Sequence, residues 1–461
     1  MVFKHSHSYS EVMKRESEFA THLPFLCQHW SPAQFPELRE EFFATDVASD
    51  LRLTPGQVAD FLSQPGWAMA YSGHQFGQFL PMLGDGRALL AAEVTHTDGT
   101  LIDVHLKGSG RTPFSRGGDG KAPLAPMWRE VIYSLALHHL QIPTTRALAV
   151  YSTGEKIQRQ LPENGAVLVR TAASHIRVGT FQFAARQGED NVRALCDYAI
   201  ARHYPGLNYQ EFFQAVVRAQ MRTVAQWMRF GFVHGVMNTD NTTISGETID
   251  FGPCAFTDTY NPQAVFSSID TQGRYQFGNQ PAIVGWNLAR LAECLLPLIG
   301  MEFAQKEMNN FGANYHDVWM DELAQALGIS HADPALSAEV SSDWIAFLHH
   351  SQLDITTSMR ALSENKEVNA GAFALEFDAW RLRWESLNPN KELMRGINPV
   401  YIPRNHMVEH ALEQYVRHQD RDLLDQLIKV VCNPYQRNPN WVEFEQPTPE
   451  EFGPHRTFCG T

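Results

Sequence analysis

The apolar residues of this chain change their spacing partway along it, and that change limits what the chain can fold into. From about residue 67 to 107 they alternate: in "LIDVHLK", Ile102, Val104 and Leu106 share one face, and Leu101, Asp103, His105 and Lys107 the other. A period of two is that of a strand. Gly84-Asp85-Gly86 and Asp98-Gly99 are turn signals between the runs, and more strands are predicted at "RALAVYSTG" and "GAVLVRTAASHIRVGTFQF". Beyond about residue 190 the spacing lengthens to three and four, in segments such as "YQEFFQAVVRAQMRTVAQWMRFG" and "GWNLARLAECLLPL", the period of helices. At 461 residues the chain is too long for one core. The expectation is an α+β fold of two lobes: an N-terminal extension packed on the body (1–60), a strand-rich lobe (61–190) and a helical lobe (191–461) ending in a mobile tail.

Charge and cysteine usage exclude several classes. A net charge of −14 argues against a general nucleic-acid surface. The charge is uneven, however: Arg87 to Arg186 holds 12 Lys plus Arg against 7 Asp plus Glu, which suggests a confined anion site. No apolar run approaches the roughly 20 residues that span a bilayer. The N-terminus lacks an apolar signal region and carries Glu11, Glu16 and Glu18, so a cytoplasmic protein without membrane contact is expected. Six cysteines without a C-x-x-C pair make neither a disulfide framework nor a zinc site, and no H-E-x-x-H occurs.

The chemistry-bearing residues follow the strand-to-helix order. Lys107 ends a strand, a Gly-rich loop "KGSGRTPFSRGGDGKAPLAP" follows, and "PMWREVIYSLALHHL" reads as a helix with Glu130 early in it. Later come His234 and Asn241 in the register H-x-x-x-x-x-x-N, a hairpin predicted on "TTISGETI", and Asp250-Phe251-Gly252. Phosphate transfer needs cations against phosphates, oxygen ligands for a divalent ion and a group that orients the nucleophile. Lys107 paired with Glu130 supplies the first, and Asn241 with Asp250 the second, as hard ligands suited to magnesium or manganese. This is the order of a two-lobed, protein-kinase-like fold with nucleotide between the lobes. Yet Val236 stands where a kinase keeps its catalytic Asp, and a valine accepts no proton. Either the site binds nucleotide without chemistry, or Asp240 acts as base from a shifted position.

Longer motifs make a resemblance specific. "YSGHQFGQF", "LGDGR", "LKGSGRTPFSRGGDGKA", "HIRVGTFQ", "HGVMNTDN", "NQPAIVGWNLARLAE" and "NPVYIPRNHMVE" resemble the selenoprotein O family across nearly the whole chain. The resemblance implies a pseudokinase fold that is an active protein adenylyltransferase, moving AMP from ATP to Ser, Thr or Tyr hydroxyls of target proteins with release of pyrophosphate. Bacterial relatives are associated with UMP transfer from UTP and with manganese. By resemblance, Gly84, Gly86 and Arg87 form the phosphate-side hairpin, Lys107 is the strand lysine, and Asp119 with Gly120 contacts the nucleotide. Arg170 and Arg177 grip it, Asp240 is the base, and Asn241 and Asp250 hold the metal. The residues alone leave open whether the α- or the γ-phosphate is transferred, so a kinase and a non-catalytic nucleotide-binding scaffold stay as alternatives. The family also links a thiol near the C-terminus, here Cys459, to redox control, and a Cys254–Cys459 disulfide is the corresponding expectation. Ser267 and Ser268 stand where some relatives carry the partner cysteine.

Overall fold

The structure, a computed structural model, describes residues 17–458. Its first part runs α1 (Glu18–His22), β1 (Cys27–Trp30), β2 (Arg39–Phe43), α2 (Thr45–Asp50), α3 (Pro55–Asp60), β3 (Gly66–Met69), β4 (Gly73–Gln75), β5 (Gln78–Leu80), β6 (Ala88–Thr95), β7 (Leu101–Lys107), β8 (Ala122–Pro123), α4 (Leu124–His139), β9 (Arg146–Gln158) and β10 (Pro162–Ala172). Then come α5 (Val178–Ala185), α6 (Glu189–His203), α7 (Tyr209–Phe230), β11 (Phe232–Val233), β12 (Ala255–Phe256), α8 (Gln280–Ile299) and α9 (Met301–Ala326). The last helices are α10 (Pro334–Ser351), α11 (Ile355–Glu364), α12 (Ala374–Ser386), α13 (Lys391–Ile397), α14 (Asn405–His418) and α15 (Asp422–Val431).

Eight strands of the first part build one antiparallel sheet in the order β1-β3-β6-β7-β10-β9-β2, with β8 added to β10, while β4 and β5 pair with each other as a separate ribbon. The segment read as an N-terminal extension thus supplies both edge strands. One face of the sheet is apolar: Val104, Leu106, Val167 and Val169 pack with Val47, Leu51 and Val58 from α2, α3 and their connection. α4 lies against β9 and β10 and buries Trp128, Ile132 and Leu135, each worth about 1.5–3 kcal/mol of burial. Asp103, His105 and Lys107, alternating with the apolar residues of β7, are also buried, with His105 fully so. The polar face of that strand faces an interior, where polar groups need partners.

Two local readings are corrected. The stretch "VGTFQF" is helix α5, not strand. Its Val and Phe content favours strand by propensity, but Val178, Phe181 and Ala184 are fully buried, α5 packs on α8, and Thr180 Oγ1 takes the backbone N–H of Arg177 at 3.0 Å. "TTISGETI" forms no hairpin. Thr243 bridges to Arg177 and Thr248 to Thr144, while Gln220 Nε2 and Thr223 Oγ1 donate to the carbonyls of Thr243 and Gly246, so side chains of α7 take the groups a hairpin would use.

The span Phe277–Ile299 is long and apolar enough to cross a bilayer, with mean hydropathy 1.4, against the expectation from run length. Half of that window is buried, α8 packs on α7 and α9, and its Asn287 Nδ2 donates to Met237 O at 3.0 Å. Those are the contacts of a core helix. The expected mobile tail is docked up to its last described turn: Thr457 N donates to Phe266 O at 2.8 Å, and Thr457 Oγ1 to Pro253 O at 2.7 Å. Cys459 lies outside the described residues.

Candidate active site

A cleft of about 500 Å³ opens between the polar face of the sheet, the Gly-rich loop and residues 236–253. Gly84, Gly86, Arg87, Lys107, Asp119, Gly120, Glu130, Arg170, Arg177, Asp240, Asn241 and Asp250 all line it. The structure therefore brings every sequence-predicted position to one cavity.

The register of the sheet sets the cations. Arg170 of β10 stands opposite His105 of β7, and Lys107, two residues on, closes the strand. Lys107 Nζ donates to Glu130 Oε1 of α4 and to Asp250 Oδ1, both at 2.6 Å. Arg170 Nη1 reaches the same Asp250 oxygen at 2.7 Å, and Arg177 Nη1 lies 3.8 Å from Asp250 Oδ2. Burial alone would raise the Asp250 pKa; Lys107, Arg170 and Arg177 outweigh it and hold the carboxyl well below the usual range. Asp250 also sits at φ +64°, an unfavourable region for a non-glycine residue.

Asp240 is the opposite case. Its side chain is buried, Oδ2 accepts only from Gln75 Nε2 at 3.3 Å, and Oδ1 has no partner among the described residues. Burial pushes its carboxyl up to about 6. Arg177 ties the two acids together, since Nη1 donates to Asp240 O at 2.9 Å. Two neighbouring carboxyls with pKa values driven apart are a recurring device for acid–base work. Asn241 Nδ2 donates to Val236 O at 3.0 Å, leaving its carbonyl oxygen as an acceptor.

Local structure holds these residues in place. α7 stops at Gly231, whose φ of +73° is the left-handed terminator of a helix. β11 and β12 then pair, closing the base of the loop that carries Asp240 and Asp250. Inside it, His234 Nε2 meets Ile249 O at 2.9 Å, and Gln280 Oε1 accepts from His234 N. His234 is thus a strut between the segments that carry Asn241 and Asp250.

Other residues were not anticipated. Asp85, inside the predicted glycine turn, is buried and accepts from Met69 N and His105 Nε2 through Oδ2. His105 Nδ1 faces Arg170 Nε and Nη2 at 3.4 and 3.3 Å. That arrangement suits the neutral ring with its proton on Nε2, and burial lowers the His105 pKa accordingly. His105 shares the face of Lys107 two residues away, a signal available in the sequence; the pairing with Asp85 was not. Tyr71 lies under Arg177 at 4.4 Å, and Asp119 is held by both terminal nitrogens of Arg159 at 2.7 and 3.1 Å. Gly120, at φ +70°, packs directly on the backbone of Gly110, where no side chain fits.

A divalent ion would find hard oxygens here in Asp250 Oδ2 and the Asn241 carbonyl. Among the described residues no cluster of three or more His, Cys, Asp or Glu side chains is arranged to hold a metal. The donor set fits magnesium or manganese, ions commonly held by one or two carboxylates together with substrate phosphates.

Comparison with known proteins defines the class. A family model described as protein adenylyltransferase SelO matches residues 31–432. The chain is 46% identical to protein nucleotidyltransferase YdiU of Mycolicibacterium paratuberculosis, over 97% of this chain and 98% of the relative. It is 45% identical to the protein of the same name from Corynebacterium efficiens, over 97% and 96%, and 46% identical to that of Halalkalibacterium halodurans, over 86% and 84%. These matches define an enzyme of the protein nucleotidyltransferase class. Within that class, the chain belongs to the SelO family of protein adenylyltransferases.

Proposed function

We propose that the chain transfers AMP from ATP to Ser, Thr or Tyr hydroxyls of target proteins with release of pyrophosphate, and accepts UTP as a second donor for UMP transfer. The observation that carries this reading is the pairing, in one cleft, of a buried carboxylate with an unpartnered oxygen, Asp240, and a second, Asp250, ringed by Lys107, Arg170 and Arg177. The proposed fold is a protein-kinase-like division into a strand-rich lobe (61–190) and a helical lobe (191–461), with nucleotide between them, in a cytoplasmic protein.

In this mechanism Lys107, Arg170 and Arg177 offer guanidinium and ammonium donors to phosphate oxygens, and Arg87 with the backbone of Gly84 and Gly86 flanks the phosphates. Asp119 and Gly120 shape the nucleotide's edge of the cleft. Asp240 accepts the proton of the acceptor hydroxyl as its oxygen bonds to the α-phosphorus; the bond from that phosphorus to the bridging oxygen breaks, and pyrophosphate leaves with the electron pair. Asn241 and Asp250 would hold magnesium or manganese, which supplies charge neutralisation at the phosphates. Val236, presenting only methyl groups at the usual base position, speaks against γ-phosphate transfer. The test is incubation with α-labelled or γ-labelled ATP, and with α-labelled UTP, in magnesium or manganese. Label on protein from the α position alone is expected; equal transfer from the γ position refutes the reading.

A further inference from the structure

The ribbon β4–β5 touches the site with one side and presents a cationic ledge with the other. On the site side, three successive residues meet the catalytic loop: His74 N donates to Thr239 Oγ1 at 2.7 Å, Gln75 Nε2 to Asp240 Oδ2, and Phe76 N to Asn238 Oδ1 at 3.1 Å. The turn between the strands has both residues at positive φ, Phe76 at 51° and Gly77 at 82°. A phenylalanine there is strained, and the contacts to Asn238 and Tyr275 OH hold it.

On the other side, the His74 ring packs 4.9 Å from Phe79 and 5.0 Å from Trp286. Arg274 and Arg290 lie over Trp286 at 5.0 and 4.8 Å, and Arg186 lies near Phe79 at 5.9 Å. Phe79 is 40% exposed. Arg290 pairs with Glu293 at 2.6 Å. Arg186 and Arg274 form no ion pair among the described residues, and Arg274 Nε has no hydrogen-bond partner there. In a chain of net charge −14, two of three guanidiniums gathered on aromatic faces, Arg186 and Arg274, without a paired carboxylate among the described residues need a reason. Such faces keep arginines extended and partly desolvated, ready for a planar anion.

We infer that this ledge docks an acidic segment of the target protein, with carboxylates flanking the acceptor hydroxyl that is delivered past the ribbon to Asp240. The inference rests on the protein-modifying reading above and adds the chemistry of the partner. A nucleic acid is disfavoured because the acidic body repels a long polyanion, whereas a short acidic stretch meets only the local positive charge.

The test separates docking from catalysis. Fluorescein-labelled peptides carrying one serine flanked by two glutamates on each side, or by two lysines, are titrated with the full chain and followed by anisotropy. The glutamate peptide is expected to bind and to weaken with added salt. Binding should fall about tenfold in the double variant R186E/R274Q, with nucleotide affinity and melting temperature held. R186E alone changes an exposed side chain and serves if the double variant fails to fold. Equal binding of the two peptides, unchanged binding by the variants, no glutamate-peptide binding, or tighter binding of an oligothymidylate each overturns the proposal. A protein that binds the glutamate peptide but transfers no α-label keeps the docking surface and loses the nucleotidyl-transfer reading; one that labels itself but binds both peptides alike loses the surface only.

Discussion

Replacing Gly73 with alanine should separate folding from chemistry. A Cβ built on Gly73 would stand 2.7 Å from Leu83 Cδ1 and 2.9 Å from Asp240 Cγ, and closer still to Asp240 Oδ1. Carbon atoms rest at roughly 3.5–4.0 Å, so relief requires a shift of about 1 Å. Both neighbours are flexible side-chain ends, and the stability cost should stay near 1–2 kcal/mol. The shift falls on the proposed base, moving it off the Gln75 contact. A displacement of about 1 Å at a reacting group costs on the order of 10²-fold in rate, or about 2.7 kcal/mol of barrier. The assay is single-turnover transfer from α-labelled ATP, alongside nucleotide affinity and melting temperature. Gly179→Ala is the contrast: its Cβ would collide with the backbone carbonyl of Ser72, which cannot rotate away, so that variant should lose stability itself. A Gly73→Ala protein that folds, binds nucleotide and transfers label within threefold of the parent would refute the placement of Asp240 as base.

Lys107→Met removes the cation shared by Glu130 and Asp250 and strands the former in a buried site, so unfolding in urea should show a loss of about 3 kcal/mol. Burial pushes half-buried Glu247 up to about 7 from an ordinary 4.5. The folded state then holds more protons than the unfolded one between those values, and this residue's contribution to stability falls as pH rises from about 4.5 to 7. Glu247→Gln should therefore gain on the parent by roughly 3 kcal/mol between pH 4.5 and 8, and parallel stability–pH curves would contradict this. Thr457→Val deletes the hydroxyl on Pro253 O at a cost of about 1 kcal/mol, read as faster amide exchange at Ser268, whose N–H is held by Thr457 O.

Short-range signals were legible in the sequence. The alternation in β7 placed Lys107, helix patterning placed Glu130 on α4, and the spacing from His234 to Asn241 to Asp250 marked the loop that carries the acids. Misreadings came where packing overrode propensity: α5, written in strand-favouring residues, is helical because its buried face seats on α8, and the threonine-rich stretch before Asp250 gives its backbone groups to α7 side chains.

What the chain alone determined is its kinship and the identity of the polar residues that a phosphate site requires. The folded molecule decided their combination. Lys107 and Arg170 reach one oxygen of Asp250 from 143 and 80 residues away, and Asp85 finds His105 across the sheet. The first thirty described residues became both sheet edges, and the ribbon at Gly73 came to rest on Asp240. Periodicity and turn chemistry act over a few neighbours, whereas these pairings depend on strand order and helix docking, which no local pattern encodes.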